Sequence, residues 1–375
     1  MRVVINGWFL SHSDTGSGQY LDALIRHLPF QNTDLDLHIV TPYPNLPFPG
    51  LNLHYRAAGK SPLAKIRFEQ VEIPRVAREL QADVVHIPYW APPLRSPSPI
   101  VVTVHDIIPL LLPEHRGSLL DRCYTAMSVA GTRGAAQVIS DSHSSHRDIV
   151  NHLHIPAKRV HTVHLAAPKN FFPPTNPEVC ESLRTKYGLP ESYVLYLGGF
   201  HKRKNVHHLL TAWTWAHSSM PDGCHLVIAG NLPKQKTGRL FHDLPTIATT
   251  QGSSESVHFI GRIDEADKLK LYQGASCFVF PSTYEGFGLP PLEAMACGVP
   301  VVTTGASSLS EVVGDAAYLV SDPSDARKLG AAIISVIVDT DLATELRTRG
   351  SKQAARFSWS KTARNTLRIY QLANN

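Results

Sequence analysis

Residues 277–298 restrict this chain to one kind of local architecture. Cys277-Phe278-Val279-Phe280 is an apolar run short enough for a buried strand. Tyr284-Glu285-Gly286-Phe287-Gly288-Leu289-Pro290-Pro291-Leu292-Glu293-Ala294-Met295 follows it. Gly286 and Gly288 allow the backbone to turn sharply and to approach a ligand closely. Pro290 and Pro291 lack N–H groups, which suits a first helical turn. Gly298 suits the position just past the end of that helix. The spacing therefore predicts strand, glycine turn and helix start, with Glu285 in the turn and Glu293 about one turn into the helix. N–H groups at a helix start attract anions. An ionised carboxylate can accept two hydrogen bonds from a diol. N–H groups for phosphate and carboxylates for hydroxyls together fit a sugar nucleotide.

The rest of the chain alternates strand-like and helix-like segments. Arg2–Asn6, Leu35–Val40, Leu51–Tyr55, Asp83–Pro88, Ile100–His105, Ala136–Ser140 and Arg159–Leu165 read as strands. Their continuous Val/Ile runs suit a parallel sheet covered on both faces. Phe68–Leu80 reads as an amphipathic helix that Pro74 bends or splits. After a proline-rich hinge at Ala166–Pro174 a second set follows: Tyr193–Leu197, His225–Ala229, Val257–Gly261, Cys277–Phe280, Val299–Thr303 and Ala317–Val320. A length of 375 residues with 43% hydrophobic content accommodates two such cores.

Three stretches stand where parallel strands end, the usual place for ligands in open α/β sheets. Gly16-Ser17-Gly18 lies between the first strand and a helix carrying Leu21, Leu24, Ile25 and Leu28. It can hold phosphate on backbone N–H groups or form a plain tight turn. His105-Asp106 ends the strand Val101–Val104. Lys202-Arg203-Lys204 follows Gly198-Gly199, and three adjacent cations there call for water or an anion. Asp141-Ser142-His143-Ser144-Ser145 follows a further strand and reads either as a helix cap at Ser142 or Ser144 or as a loop touching acceptor or donor. Ser307-Ser308-Leu309-Ser310-Glu311 has the Ser-x-x-Glu form and also reads as a cap.

Glu285 to Val302, as Glu-Gly-Phe-Gly-Leu-Pro-x-Leu-Glu-Ala-Met-Ala-Cys-Gly-x-Pro-Val-Val, resembles the signature of the retaining GT-B glycosyltransferases of family 4. His-Asp-Ile-Ile-Pro from His105 and Arg203-Lys204-Asn205 resemble further motifs of that family, in the form found in bacterial mannosyl- and related transferases. The resemblance spans nearly the whole chain. It implies an α/β, GT-B fold: two Rossmann-like, doubly wound parallel-sheet domains facing across a cleft. Residues 1–170 would form the acceptor-side domain and 171–355 the nucleotide-sugar-binding domain. Residues 356–375 would be a C-terminal helix crossing back to the first domain.

The implied reaction moves a hexose from a nucleoside diphosphate sugar to a hydroxyl of a glycan or lipid-linked acceptor, with retained anomeric configuration. GDP-mannose leads over UDP-sugars as donor. By resemblance, His105, Arg203, Lys204 and Glu285 are the catalytic group. Gly16, Gly18, Arg262, Ile263, Gly286, Phe287, Gly288, Leu289 and Glu293 bind the donor, with Glu293 on the ribose. Arg203 and Lys204 would offset the leaving group's charge. The sequence is read as having no Asp-x-Asp motif to carry a metal, so neither metal nor cofactor is expected. One departure is Gly199, where many members carry a further arginine.

A net charge of +5, spread over both halves, argues against a nucleic-acid surface. It is compatible with peripheral attachment to an anionic membrane through Lys60, Lys65 and Arg67. Five widely spaced cysteines, including Cys180, and the lack of a signal-like N-terminus or an apolar run near ~18 residues lead us to expect a cytoplasmic protein. The rival readings are a catalytically silent relative and a GT-B epimerase or phosphorylase. A dinucleotide oxidoreductase fits poorly, because Gly16-Ser17-Gly18 has no third glycine at the required spacing.

Overall fold

The computed structural model describes residues 1–12, 15–44, 46–48, 50–59, 61–174, 181–233 and 238–375. Ser13 and Asp14 of the glycine turn, Lys60 of the basic patch and Cys180 lie outside the described residues. The chain forms two compact units, Met1–Leu165 with Trp359–Asn375, and Ala166–Ser358.

The first unit is built on seven parallel strands: β1 (Arg2–Asn6), β2 (Asp36–Thr41), β3 (Asn52–Tyr55), β4 (Val84–Ile87), β5 (Ile100–Val104), β6 (Gln137–Ser140) and β7 (Val160–Thr162). Their order is β3-β2-β1-β4-β5-β6-β7. The connecting helices are α1 (Gly16–His27), α2 (Pro62–Arg67), α3 (Ile73–Glu79), α4 (Ile108–Leu111), α5 (Leu119–Gly134) and α6 (His143–Leu153). β4 and β5 are buried along their whole length, as continuous apolar strands of a covered parallel sheet must be. The helix expected over Phe68–Leu80, bent or split by Pro74, is a π segment, Phe68–Glu72, that follows α2 and runs into α3. Pro74 sits in the first turn of α3, where its missing N–H costs nothing.

The second unit has six parallel strands: β8 (Ser192–Leu197), β9 (Cys224–Ala229), β10 (Val257–Gly261), β11 (Cys277–Phe280), β12 (Val301–Thr304) and β13 (Tyr318–Val320). Their order is β10-β9-β8-β11-β12-β13. Its helices are α7 (Glu181–Tyr187), α8 (Val206–Ala216), α9 (Leu244–Thr250), α10 (Glu265–Gln273), α11 (Leu289–Ala296), α12 (Leu309–Val313), α13 (Ala326–Val338) and α14 (Thr340–Ala354). The strand order reverses between β1 and β4 in the first unit and between β8 and β11 in the second. Those are the points at which an open parallel sheet leaves a crevice for ligand.

The last helix, α15 (Trp359–Asn374), belongs to the first unit. Thr362 Oγ1 donates to the His164 carbonyl at 2.7 Å, and Tyr370 Oη lies 2.7 Å from His86 Nδ1. His86 Nε2 continues to Thr103 Oγ1 at 2.9 Å, and Thr103 Oγ1 to Tyr20 Oη at 3.0 Å. This buried chain of hydrogen bonds ties α15 to β4, β5 and α1. Burial and the neighbouring His105 push the His86 pKa down to about 3, so it serves as a neutral link.

Gly16 and Gly18 lie inside the first turn of α1, not in a loop before it. The Gly18 N–H donates to Thr15 Oγ1 at 3.1 Å, and a Cβ there would collide with the His12 carbonyl group, 2.7 Å from its carbon. Gly18 is thus required by packing, whereas nothing lies within 4 Å of a Cβ on Gly16. Gly18→Ala is expected to destabilise the protein by about 2 kcal/mol through overpacking. Gly16→Ala should leave it unchanged or slightly more stable, with urea or thermal unfolding as the measurement.

Candidate functional site

β8 leads through Gly198-Gly199-Phe200 into a 3-10 turn, Lys202–Lys204, and Asn205 closes it in the left-handed conformation with φ of 61°. The adjacent strand β11 leads into Ser282–Gly288. The two loops are sewn together. The Arg203 carbonyl accepts from the Thr283 N–H at 2.8 Å and from Ser282 Oγ at 3.1 Å. Arg203 Nη1 donates to the Tyr284 carbonyl at 2.7 Å. The same nitrogen lies 3.0 Å from Glu285 Oε2, and Lys204 Nζ lies 2.6 Å from Glu285 Oε1. The Lys204 ammonium also sits over the Phe280 ring, 4.9 Å from its centroid.

Glu285 is 8% exposed. Burial pushes its pKa up, but the Lys204 and Arg203 charges outweigh burial and hold it below the ordinary value, so it is ionised at neutral pH. One carboxylate shared by two cations leaves one positive charge in excess.

The loop is held from the other side by Ser307 and Ser308. The Glu285 N–H donates to Ser307 Oγ at 2.7 Å, and both serine hydroxyls reach the Glu285 carbonyl, at 3.0 and 2.9 Å. Ser308 Oγ also lies 2.6 Å from the Phe287 carbonyl. The expected cap is not made, since Ser308 at the start of α12 forms no side-chain cap bond. Its hydroxyl is spent on the glycine turn. Gly288 begins α11 at φ +116°, which only glycine adopts easily, and Pro290 and Pro291 occupy the first turn as expected.

Glu293 is 2% exposed, on the inner face of α11. Its Oε1 lies 3.0 Å from Lys268 Nζ, and its Oε2 accepts from Tyr272 Oη at 2.9 Å. Both partners come from α10. Burial alone would lower the Lys268 pKa, yet the Glu293 and Glu265 carboxylates raise it. The two glutamates therefore sit in different electrostatic settings: Glu285 faces two cations, whereas Glu293 shares one, Lys268, with Glu265. Arg262 and Ile263 follow β10, the edge strand, at a corner where the Gly230 N–H donates to the Gly261 carbonyl at 2.8 Å.

In the first unit His105 follows β5, and its Nδ1 lies 2.6 Å from Asp141 Oδ2. Burial opposes its protonation, but Asp141 dominates the outcome and raises its pKa. Of the basic patch expected at Lys60, Lys65 and Arg67, Lys60 lies outside the described residues, Arg67 is exposed and Lys65 is turned to a carboxylate. Lys65 Nζ pairs with the fully buried Glu69 at 2.8 Å and reaches Tyr124 Oη at 2.7 Å. No helix among the described residues is long and apolar enough to cross a membrane.

Asp-x-Asp does occur twice in the chain, at Asp34-Leu35-Asp36 and Asp339-Thr340-Asp341. Asp36 pairs with Arg2 and Asp339 caps α14. Among the described residues no group of three or more His, Cys, Asp or Glu side chains could hold a metal ion.

Two family models match the chain: "Glycosyl transferases group 1" over residues 181–355 and "Glycosyltransferase Family 4" over 15–168. O-antigen chain mannosyltransferase B of Escherichia coli is 34% identical over 72% of this chain and 70% of its own length. The chain belongs to this family of glycosyltransferases. Serotype-specific mannosyltransferase WbdA of Escherichia coli is 31% identical over 70% of the chain, which spans only 32% of that longer protein.

Among solved structures, the glycosyltransferase WaaG superposes with a TM-score of 0.75 over 98% of this chain and 99% of its own, at 16% identity. Anabaena HepE in complex with UDP and glucose gives 0.73 over 98% of both chains, at 19% identity. These likenesses establish the GT-B fold.

In this glycosyltransferase the structure brings Arg203, Lys204 and Glu285 together and places Glu293 with Lys268 and Tyr272. The roles of Lys268, Tyr272, Ser307 and Ser308 in holding these residues, and the pairing of Asp141, were not part of the motif reading. Lys268 and Tyr272 are four residues apart and so share a face of α10, which was the available signal. Lys268→Met should destabilise the protein by about 3 kcal/mol or more, because it leaves Glu293 buried without its cation. Lys268→Met with Glu293→Leu should recover much of that loss in the same urea titration.

Proposed function

We propose that the chain transfers a hexose, with mannose favoured, from a nucleoside diphosphate sugar to a hydroxyl of a glycan or lipid-linked acceptor. Anomeric configuration is retained and no metal ion takes part. The observation that carries this reading is the Arg203–Lys204–Glu285 cluster at the point where the second sheet reverses its strand order. As the glycosidic bond breaks, positive charge develops on the sugar and negative charge on the departing diphosphate. Arg203 and Lys204, held by Glu285 and the Tyr284 carbonyl, are positioned to meet the negative charge as it appears. Main-chain N–H groups at Gly286–Leu289, at the start of α11, add to that stabilisation.

Glu285, ionised and already sharing its charge with two cations, is suited to accept hydrogen bonds from sugar hydroxyls and poorly suited to act as a nucleophile. Glu293 takes the ribose hydroxyls, and Arg262 and Ile263 border the base. In the first unit we assign Gly16 to a phosphate contact. Gly18 supports that turn by packing. His105 is assigned to donate a hydrogen bond to the transferred sugar. GDP-mannose is the favoured donor because relatives 34% and 31% identical to this chain are named mannosyltransferases. A UDP-sugar is the second reading, supported by the UDP complex of HepE.

Arg203→Ala with Lys204→Ala should lower kcat by about 100-fold or more, since both act on charge that develops in the transition state. The assay is nucleoside diphosphate release from GDP-mannose in EDTA, where the unaltered protein should keep its full rate. Survival of turnover in the double variant, or its loss in EDTA, rules out a metal-free clamp.

A thermal-shift screen against GDP, UDP, ADP and dTDP tests the base. At about 100 times its dissociation constant a nucleotide adds about 2.7 kcal/mol to the folded state. GDP should give the largest shift, and a larger shift with UDP selects the second reading. A shift without nucleotide release in the presence of acceptor glycans would favour a silent relative.

A further inference from the structure

We infer that Asp141 is a positioning residue for sugar transfer, and that it keeps His105 as an imidazolium whose Nε2 is a hydrogen-bond donor. The inference rests on the role proposed above for His105. Parallel pairing sets Val104 opposite Ser140, so the next residues, His105 and Asp141, leave the sheet side by side. Asp141 is 2% exposed, and its Oδ2 lies 2.6 Å from His105 Nδ1. Its Oδ1 is buried and has no hydrogen-bond partner.

A carboxylate so placed has one strong compensation, the ring it faces. A neutral imidazole would leave a net buried negative charge, which is costly, whereas an imidazolium makes a charge-balanced pair. The proton count on the ring decides its chemistry. With Nδ1–H turned to Asp141, a neutral ring presents a lone pair at Nε2, and only the protonated ring presents an N–H there.

The surroundings hold this pair still. Ser145 Oγ donates to the His105 carbonyl at 3.0 Å, and the Tyr20 ring stands edge-on to the imidazole, 5.0 Å between centroids. The charged and titratable groups facing the pair are Asp106 on its own loop, His86 on β4, Tyr20 on α1, and His143 and His164 beside Asp141. Asp106 reinforces the proton on His105. His86 and His164 are neutral, because burial lowers both. Tyr20 stays un-ionised, because burial raises it. The Pro88 carbonyl also favours protonation of the ring, and Nε2 itself is buried.

A raised pKa means that the donor form is complete below the ordinary histidine value and is lost as pH rises through the raised one. Asp141→Asn keeps an oxygen acceptor for Nδ1–H and removes the charge. In the full-length protein with GDP-mannose, it should lower kcat about tenfold or more with a smaller change in KM, and move the alkaline limb of the kcat profile to lower pH by about one unit. Asp141→Glu should restore part of both. Nitrogen-15 NMR of histidine-labelled protein, with His105 assigned through His105→Gln, should show both ring nitrogens protonated at pH 7.

A neutral His105 in the unaltered protein overturns the inference, even if Asp141→Asn does not fold. So does an alkaline limb that stays in place in folded Asp141→Asn. Unchanged kcat in His105→Gln removes the proposed role of His105, and this inference with it, while leaving the Arg203–Lys204–Glu285 assignment standing.

Discussion

The second unit depends on one buried carboxylate held between two cations. At separations near 3 Å and an effective dielectric of about 20, each cation attracts Glu285 by about 5 kcal/mol. That is the scale needed against a desolvation cost of several kcal/mol per ion. The balance holds only if the three side chains are fixed, and the backbone fixes them. The Arg203 carbonyl is bonded to Ser282 and Thr283, and Glu285 is bonded through N–H and carbonyl to Ser307 and Ser308. Those bonds join the loops after β8, β11 and β12, which are neighbours in the sheet. Parallel pairing brings all three loops to the same end, and the reversal of strand order at β8 and β11 keeps a crossover helix from filling the space above them.

What could be read in the sequence divides along a physical line. β4, β5 and β11 are buried on both faces, so their apolar runs carry the information locally. The start of α11 was equally legible, because Gly288, Pro290, Pro291 and Gly298 each answer a backbone requirement at their own position. Contacts set by register were not legible. Asp141 meets His105 because β6 pairs with β5 in one register, and no property of residues 137–141 states it. Lys268 and Tyr272 meet Glu293 only because α10 packs beside α11. Ser307-Ser308-Leu309-Ser310-Glu311 shows the opposite failure. The local pattern fits a capping box, but the two hydroxyls find better acceptors in the carbonyls of Glu285 and Phe287. Lys65 was misread as a surface cation, although Glu69 four residues on was the i,i+4 partner that takes it inward.

The two glutamates of the motif, one in the turn before α11 and one within it, sit in unlike surroundings. Glu293 shares its single cation, Lys268, with Glu265, so a hydroxyl bound there meets no excess positive charge. Interactions of that kind hold substrate and transition state alike. Arg203, Lys204 and Glu285 carry a net positive charge in a site largely removed from water. A field of that sign contributes little to a neutral hydroxyl and most to a diphosphate gaining charge as its bond to the sugar breaks. In the proposed reaction, binding and rate enhancement would fall to two carboxylates eight positions apart. The difference between them lies in the number of cations each one faces.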